Sequence, residues 1–290
     1  MTDILSETEK SFIIEGIQHN IRIDGRDLTE YRQLVLETGV SPNCNGSAHI
    51  RLANNDVLVG VKADLEETKE DTPSEGRLEF FVDCTANAAP QFEGRGGERL
   101  AYQICTMLSK AYSQPGTMDL GALSVMAGHR AWTLYVDVLI LECGGSLMDA
   151  ASLAVKAALA DTKLPEVKVH QVENLLEVEV AEDPFATVSL DVSRAPVLVT
   201  LSRVGRHCVV DTNQEEEQCA LSQLVLAVDA EGQVLFAHSP GFLAADNLEM
   251  LDLGSSLGAQ LNLSLHDSLR REQSLLHNNP GLKSERGLFD

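Results

Sequence analysis

The sequence predicts an α+β protein made of two related β/α halves. Three observations carry this: strand-length apolar runs gather in two separate blocks, each block closes on residues at helical spacing, and an acidic, proline-bearing stretch lies between them. Residues 1–30 precede the first half, with a short helix over Glu7 to Gln18 and then an extended lead-in, Ile21-Arg22-Ile23-Asp24-Gly25-Arg26. The first half covers residues 31–165. Ser47 to Leu52 and Val57 to Val61 read as strands around Asn54-Asn55, a pair that tolerates positive φ and suits a tight hairpin. Residues 64–71 hold five acids and one lysine and read as a solvated loop. Leu78 to Cys84 returns as a strand. From Arg95 to Tyr112 the period changes: Leu100, Ile104, Leu108 and Ala111 recur at helical spacing, and Pro115-Gly116 closes the helix.

Trp132 to Leu141 is a strand with Leu134, Val136, Val138 and Ile140 on one face. Asp137 interrupts it; a buried carboxylate would need a partner, so an edge or subunit-facing position is expected. The turn Gly144-Gly145 leads into a helix over Leu147 to Ala160, whose Ala150, Ala154, Ala157 and Ala158 let it lie close to a sheet. Asp149 suits its first turn, as a cap or through the helix dipole. Residues 166–196 form an acidic crossing segment with strand-like runs at Val167 to Val172 and Leu176 to Val180. The second half, residues 197–276, repeats the pattern. One hairpin joins Val197 to Ser202 and His207 to Val210 about Val204-Gly205, another joins Leu224 to Val228 and Gln233 to His238, and a long helix carries Leu257, Leu261, Leu265 and Leu269. Residues 277–290 are a polar tail, expected to be mobile.

Charge narrows the function classes. The chain has 44 acidic and 22 basic residues, a net charge of -22, which argues against a surface that grips phosphate throughout and leaves room for a local basic patch. No apolar run is long enough to span a bilayer, and the first 20 residues lack a basic start followed by a hydrophobic stretch, so an intracellular protein is expected. The six cysteines (44, 84, 105, 143, 208, 219) contain no CxxC pair and read as free thiols. No P-loop, GxSxG, HExxH or EF-hand pattern occurs, and no cofactor or metal is expected. Two features have chemical potential. Gly94-Arg95-Gly96-Gly97 stands before a helix whose N–H groups could meet an anion, and Asp211, Glu215, Glu216 and Glu217 cluster at a strand end. On composition the acids read as a solvated loop.

Several segments together resemble the RNase PH family. Arg22-Ile23-Asp24-Gly25-Arg26 is similar to its N-terminal signature; Gly46-Ser47-Ala48 with the following hairpin, to its first strand pair; and Cys143-Gly144-Gly145-Ser146 running into Leu147-Met148-Asp149-Ala150-Ala151, to the turn and helix of its second layer. Phe80-Phe81-Val82-Asp83-Cys84, Phe92-Glu93-Gly94-Arg95-Gly96-Gly97 and Leu134-Tyr135-Val136-Asp137-Val138 bring the resemblance closest to the non-catalytic ring subunits of the RNA exosome. The resemblance implies an RNase PH-like fold and a heterodimer within a six-membered ring of such subunits. It also implies caps with S1 and KH domains, an associated 3′-to-5′ exonuclease, single-stranded RNA passing through the ring, and residence in nucleus, nucleolus and cytoplasm. Active members carry Thr-Arg after the glycine turn, and that arginine helps hold phosphate; here the matching residues are Ser146 and Leu147, a degenerate phosphate site. An acidic pair survives as Asp211 and Glu217. Arg95 and Arg99 are candidate RNA contacts, with solvated helix-start charges as the plain alternative. Two readings follow: a structural ring subunit, or a phosphorolytic 3′-to-5′ exoribonuclease working with a paired subunit. Leu147 favours the first.

Overall fold

The computed structural model describes residues 5–172, 175–181, 183, 186–239 and 247–278. In chain order the elements are α1 (Glu7–Gln18), β1 (Leu34–Thr38), β2 (Gly46–Leu52), β3 (Asn55–Glu67), β4 (Arg77–Cys84), α2 (Glu98–Tyr112), β5 (Ser124–Met126), β6 (Arg130–Glu142) and α3 (Leu147–Asp161). There follow β7 (Lys163–Pro165), β8 (Val167–Val172), β9 (Leu175–Val180), β10 (Thr187–Ser189), β11 (Val197–Val204), β12 (His207–Val210), α4 (Gln214–Cys219), β13 (Ser222–Val228), β14 (Val234–His238) and α5 (Asn247–Asn278). The expected polar tail lies outside the described residues beyond 278.

Two sheets form the frame. The first has the order β1-β2-β3-β6-β4, antiparallel except that β4 runs parallel to β6, with β5 on the end of β6. The second is fully antiparallel, β12-β11-β13-β14. The halves are therefore related but unequal: among the described residues only the first inserts a parallel strand and its helix, β4 and α2. Helix α3 lies between the sheets, against β2 and β3 on one side and β11 on the other. That position explains its composition. Ala150, Ala154, Ala157 and Ala158 are fully buried, but so are Leu153, Val155 and Leu159, so the helix is covered all round rather than on one face. A single apolar core spans both sheets, while Ile13 and Ile17 of α1 form a smaller cluster with Val204, Val209 and Cys219. A capping box between Ser6 and Glu9 starts α1.

Several sequence expectations change. The hairpin turn is Ala53-Asn54, with positive φ at Ala53, while Asn55 is a buried strand residue whose amide is used elsewhere. The acidic stretch is not all loop, because β3 continues to Glu67 along the equally long β6. Its charge is accommodated across strands: Glu66 accepts from Tyr135 Oη at 2.6 Å, Thr133 Oγ1 at 3.0 Å and Arg77 Nη2 at 2.9 Å. Asp137 is exposed, but β6 is an interior strand, so the carboxylate stands on the sheet's outer face and not at an edge, in register with exposed Phe81. Helix α2 begins at Glu98, which leaves Arg95 in the turn before it. The cysteines are free thiols; Cys84 and Cys219 are buried and the other four half-buried.

Lys156 joins the layers from within. Its Nζ donates to Ala195 O at 2.5 Å and to Asn262 Oδ1 at 2.6 Å, tying α3 to the start of β11 and to α5. Burial brings its pKa down to about 8.

Candidate functional site

The site forms where β6 ends and α3 begins. Asn55 holds the turn between them: its Oδ1 accepts from Gly144 N at 2.6 Å and its Nδ2 donates to Gly145 O at 2.6 Å. Gly145 has φ 95°, and a Cβ there would stand 2.4 Å from Thr212 O, so only glycine fits. The next residue, Ser146, is left-handed at φ 50° without being glycine, and its N–H donates to Glu217 Oε1 at 2.7 Å. Leu147 follows, buried, as the first residue of α3.

Behind this turn the N-terminal lead-in and the start of the first half clamp the second half. Asp211 is fully buried, with φ 44°. Arg32 grips it through Nη2–Oδ1 at 2.7 Å, Nε–Oδ2 at 2.9 Å and its backbone N–Oδ2 at 2.7 Å, and Arg26 Nη1 adds a contact to Oδ2 at 3.0 Å. Arg32 also donates to Gly144 O at 3.0 Å and Gly145 O at 2.8 Å, so one side chain joins the acid to the turn. Arg22, buried at 3% exposure, pairs bidentately with Glu216 at 2.9 and 2.6 Å. Glu216 in turn forms a capping box with Asn213 at the start of α4.

The expected solvated acidic loop is thus a short helix with a buried foundation, and Glu215 alone of the four acids is exposed. The reason is long-range: the three arginines of residues 22–32 lie next to the acids only in the folded chain.

Asp149 neither caps α3 nor meets solvent. It is fully buried, and its Oδ2 accepts from Tyr31 Oη at 3.0 Å and Thr200 N at 3.1 Å, while Oδ1 has no partner. Burial pushes its pKa up to about 7, against the opposing hydrogen bonds from Thr200. Burial also raises Glu217, with the Ser146 N–H and Arg32 pulling the other way. A cleft of about 570 Å³ opens over the start of α3. Its described lining includes Ser146, Leu147, Thr200 and Glu217 together with glutamines 91, 103, 214, 218 and 223, and among the described residues no lysine or arginine.

With this geometry in place, the comparisons decide the lineage. The 3′ exoribonuclease family, RNase PH, matches in its domain 1 over residues 30–165 and in its domain 2 over residues 194–255. The chain belongs to the RNase PH family. The Dictyostelium discoideum RRP42 protein, named as an exosome complex exonuclease, is 30% identical over 93% of this chain and 99% of its own. The exosome complex component Rrp42 of Sulfurisphaera tokodaii is 28% identical over 93% of this chain and 96% of its own. Among solved structures, a chain of the Archaeoglobus fulgidus exosome with RNA bound to the active site superposes with a TM-score of 0.74 at 28% identity, covering 90% of this chain and 99% of that one.

On this RNase PH fold the sequence candidates separate. Ser146, Leu147, Asp211 and Glu217 converge on the α3 turn; Ser146, Leu147 and Glu217 line the cleft, while Asp211 lies behind it. Arg95 and Arg99 do not join them. Both are exposed at the start of α2, where Arg95 Nε pairs with Glu98 Oε1 at 2.9 Å. Sequence reasoning noted Arg22 and Arg26 as signature residues but missed their partners, and it missed Arg32 and Asn55 as builders of the turn. One signal was available: three arginines within residues 22–32, in a chain where acids outnumber bases two to one.

Proposed function

We propose that the chain is a non-catalytic, structural subunit of an RNA exosome ring, supporting 3′-to-5′ processing and degradation of RNA by a separate exonuclease. One observation carries the reading: the cations that a phosphate site would need are spent on the chain's own acids. Phosphate attack on RNA requires a cationic pocket for the dianion. Here Arg26 and Arg32 clamp Asp211, Arg22 clamps Glu216, and the described residues lining the cleft include no lysine or arginine. Leu147 stands where the resemblance puts an arginine. The names of the relatives support membership of an exosome.

On this reading the partners are other RNase PH-like subunits, cap subunits with S1 and KH domains, and an exonuclease that receives single-stranded RNA through the ring. Maturation of rRNA and turnover of mRNA, in nucleus, nucleolus and cytoplasm, are the corresponding tasks. The outer face of the first sheet, with Phe81 52% exposed beside Asp137, is a surface suited to a neighbouring subunit. The test is twofold. The purified chain, given single-stranded RNA, Mg²⁺ and phosphate, should release no nucleoside diphosphate, and mild purification from cells should yield it within a stoichiometric assembly. Diphosphate release that rises with phosphate would overturn the non-catalytic reading. A stable, solitary monomer in cells would overturn the ring.

A further inference from the structure

Helix α3 starts without a cap. Its N-cap residue, Ser146, makes no side-chain cap bond; its Oγ is buried at 2% exposure and has no hydrogen-bond partner. Thr200, 5% exposed, lines the same cleft. An uncapped helix start with a free, buried hydroxyl beside it is a place where an oxyanion binds, because the N–H groups and the dipole both favour negative charge. The Ser146 N–H is nevertheless occupied. It donates to Glu217 Oε1 at 2.7 Å, across 71 residues of chain. Among the described residues lining the cleft, Glu217 is also the only charged one.

We propose that Glu217 serves as an internal anion: its carboxylate occupies the oxyanion position at the start of α3 and so keeps inorganic phosphate out of the cleft. The inference deepens the non-catalytic reading by naming the group that closes the site, and rests on that reading only for the kind of ligand excluded. A second anion at this position would lose the Ser146 N–H and face a like charge, with no cation among the described lining residues to offset it. Removing the carboxylate would free the Ser146 N–H beside the unpartnered Ser146 hydroxyl.

The test is inorganic phosphate binding to the full-length chain, measured by titration calorimetry at neutral pH and, if the chain needs them, with its ring neighbours present. Glu217→Ala should bind phosphate at least tenfold more tightly than the wild type, with sulfate competing. Glu217→Gln, which keeps an oxygen on the Ser146 N–H but drops the charge, should fall between them. A folded Glu217→Ala chain that binds no better than the wild type would overturn the proposal. Should that variant fail to fold, the wild type itself decides: the Ser146 amide resonance should shift as the Glu217 carboxyl titrates, and an amide that stays still would equally overturn it. These readouts involve neither assembly nor RNA cleavage, so their failure leaves the ring-subunit reading standing.

Discussion

Helices α2 and α3 both begin after glycines, and they begin in opposite physical settings. The start of α2, with Arg95 and Arg99, is exposed, and its one ion pair, Arg95 with Glu98, is 88% and 64% exposed at the two side chains. The start of α3 is buried, with a carboxylate on its N-cap N–H and a fully buried Asp211 held by two arginines behind it. Exposed pairs of the first kind contribute little, because water screens them and long side chains lose entropy. Buried charges of the second kind are costly to break because the abandoned partner stays dehydrated. A glycine-rich helix start is therefore no guide to function by itself; what surrounds it decides.

The sharpest way to break this comparison is Arg22→Ala. It abandons Glu216 at 1% exposure, so a loss of about 3–5 kcal/mol is expected in urea unfolding. Combining it with Glu216→Gln should recover part of that loss. If Arg22→Ala were silent, the buried foundation would not be structural.

A second effect is set by pH. Asp149 has a folded pKa of about 7, well above its unfolded value of about 3.9. The folded state thus holds a proton that the unfolded state has lost. Its favourable contribution is complete below about pH 4 and is lost as pH rises to about 7. Asp149→Asn should remove that slope, gaining on the wild type by a few kcal/mol between pH 4 and 7 in paired melting curves. A constant difference across that range would contradict a neutral Asp149.

Asn55→Ala comes next. It leaves Gly144 N and Gly145 O without their amide partner, and a cost of about 1–3 kcal/mol is expected from thermal unfolding. The smallest stability effect belongs to Arg95→Glu with Arg99→Glu, within about 0.5 kcal/mol for exposed side chains. The same double change sharpens the comparison in another measurement. If these arginines face RNA in an assembled ring, the log–log salt slope of RNA binding should flatten by up to about two units. An unchanged slope would return them to plain solvated charges, and a ring that fails to assemble would place them at an interface.

Much of the fold was legible along the chain. The alternation of Leu134, Val136, Val138 and Ile140 and the spacing of Leu257, Leu261, Leu265 and Leu269 are local periodicities, and each of these residues is buried as its pattern requires except Leu261, which is half-buried. Errors arose where a partner distant in sequence changed the meaning of a residue. The acids at 64–67 look like a loop until β6 supplies Tyr135 and Thr133 as donors to Glu66 and sets Arg130 opposite Glu67. Asn55 looks like a turn residue until Gly144 and Gly145 arrive to use its amide.

Sequence alone determined the alternation of strand and helix, the two halves and the family resemblance, because periodicity and motif are properties of neighbours along the chain. It also placed a leucine where a phosphate-binding cation would be expected. Tertiary structure decided which charges are free. Asp211, Glu216 and Glu217 carry the same formal charge as Glu215, yet three are tied to Arg26 and Arg32, to Arg22 and to the Ser146 N–H, and one faces water. The energy of a carboxylate depends on the donors and the dielectric around it, and those are assembled only when residues some 70 to 190 positions apart are folded together.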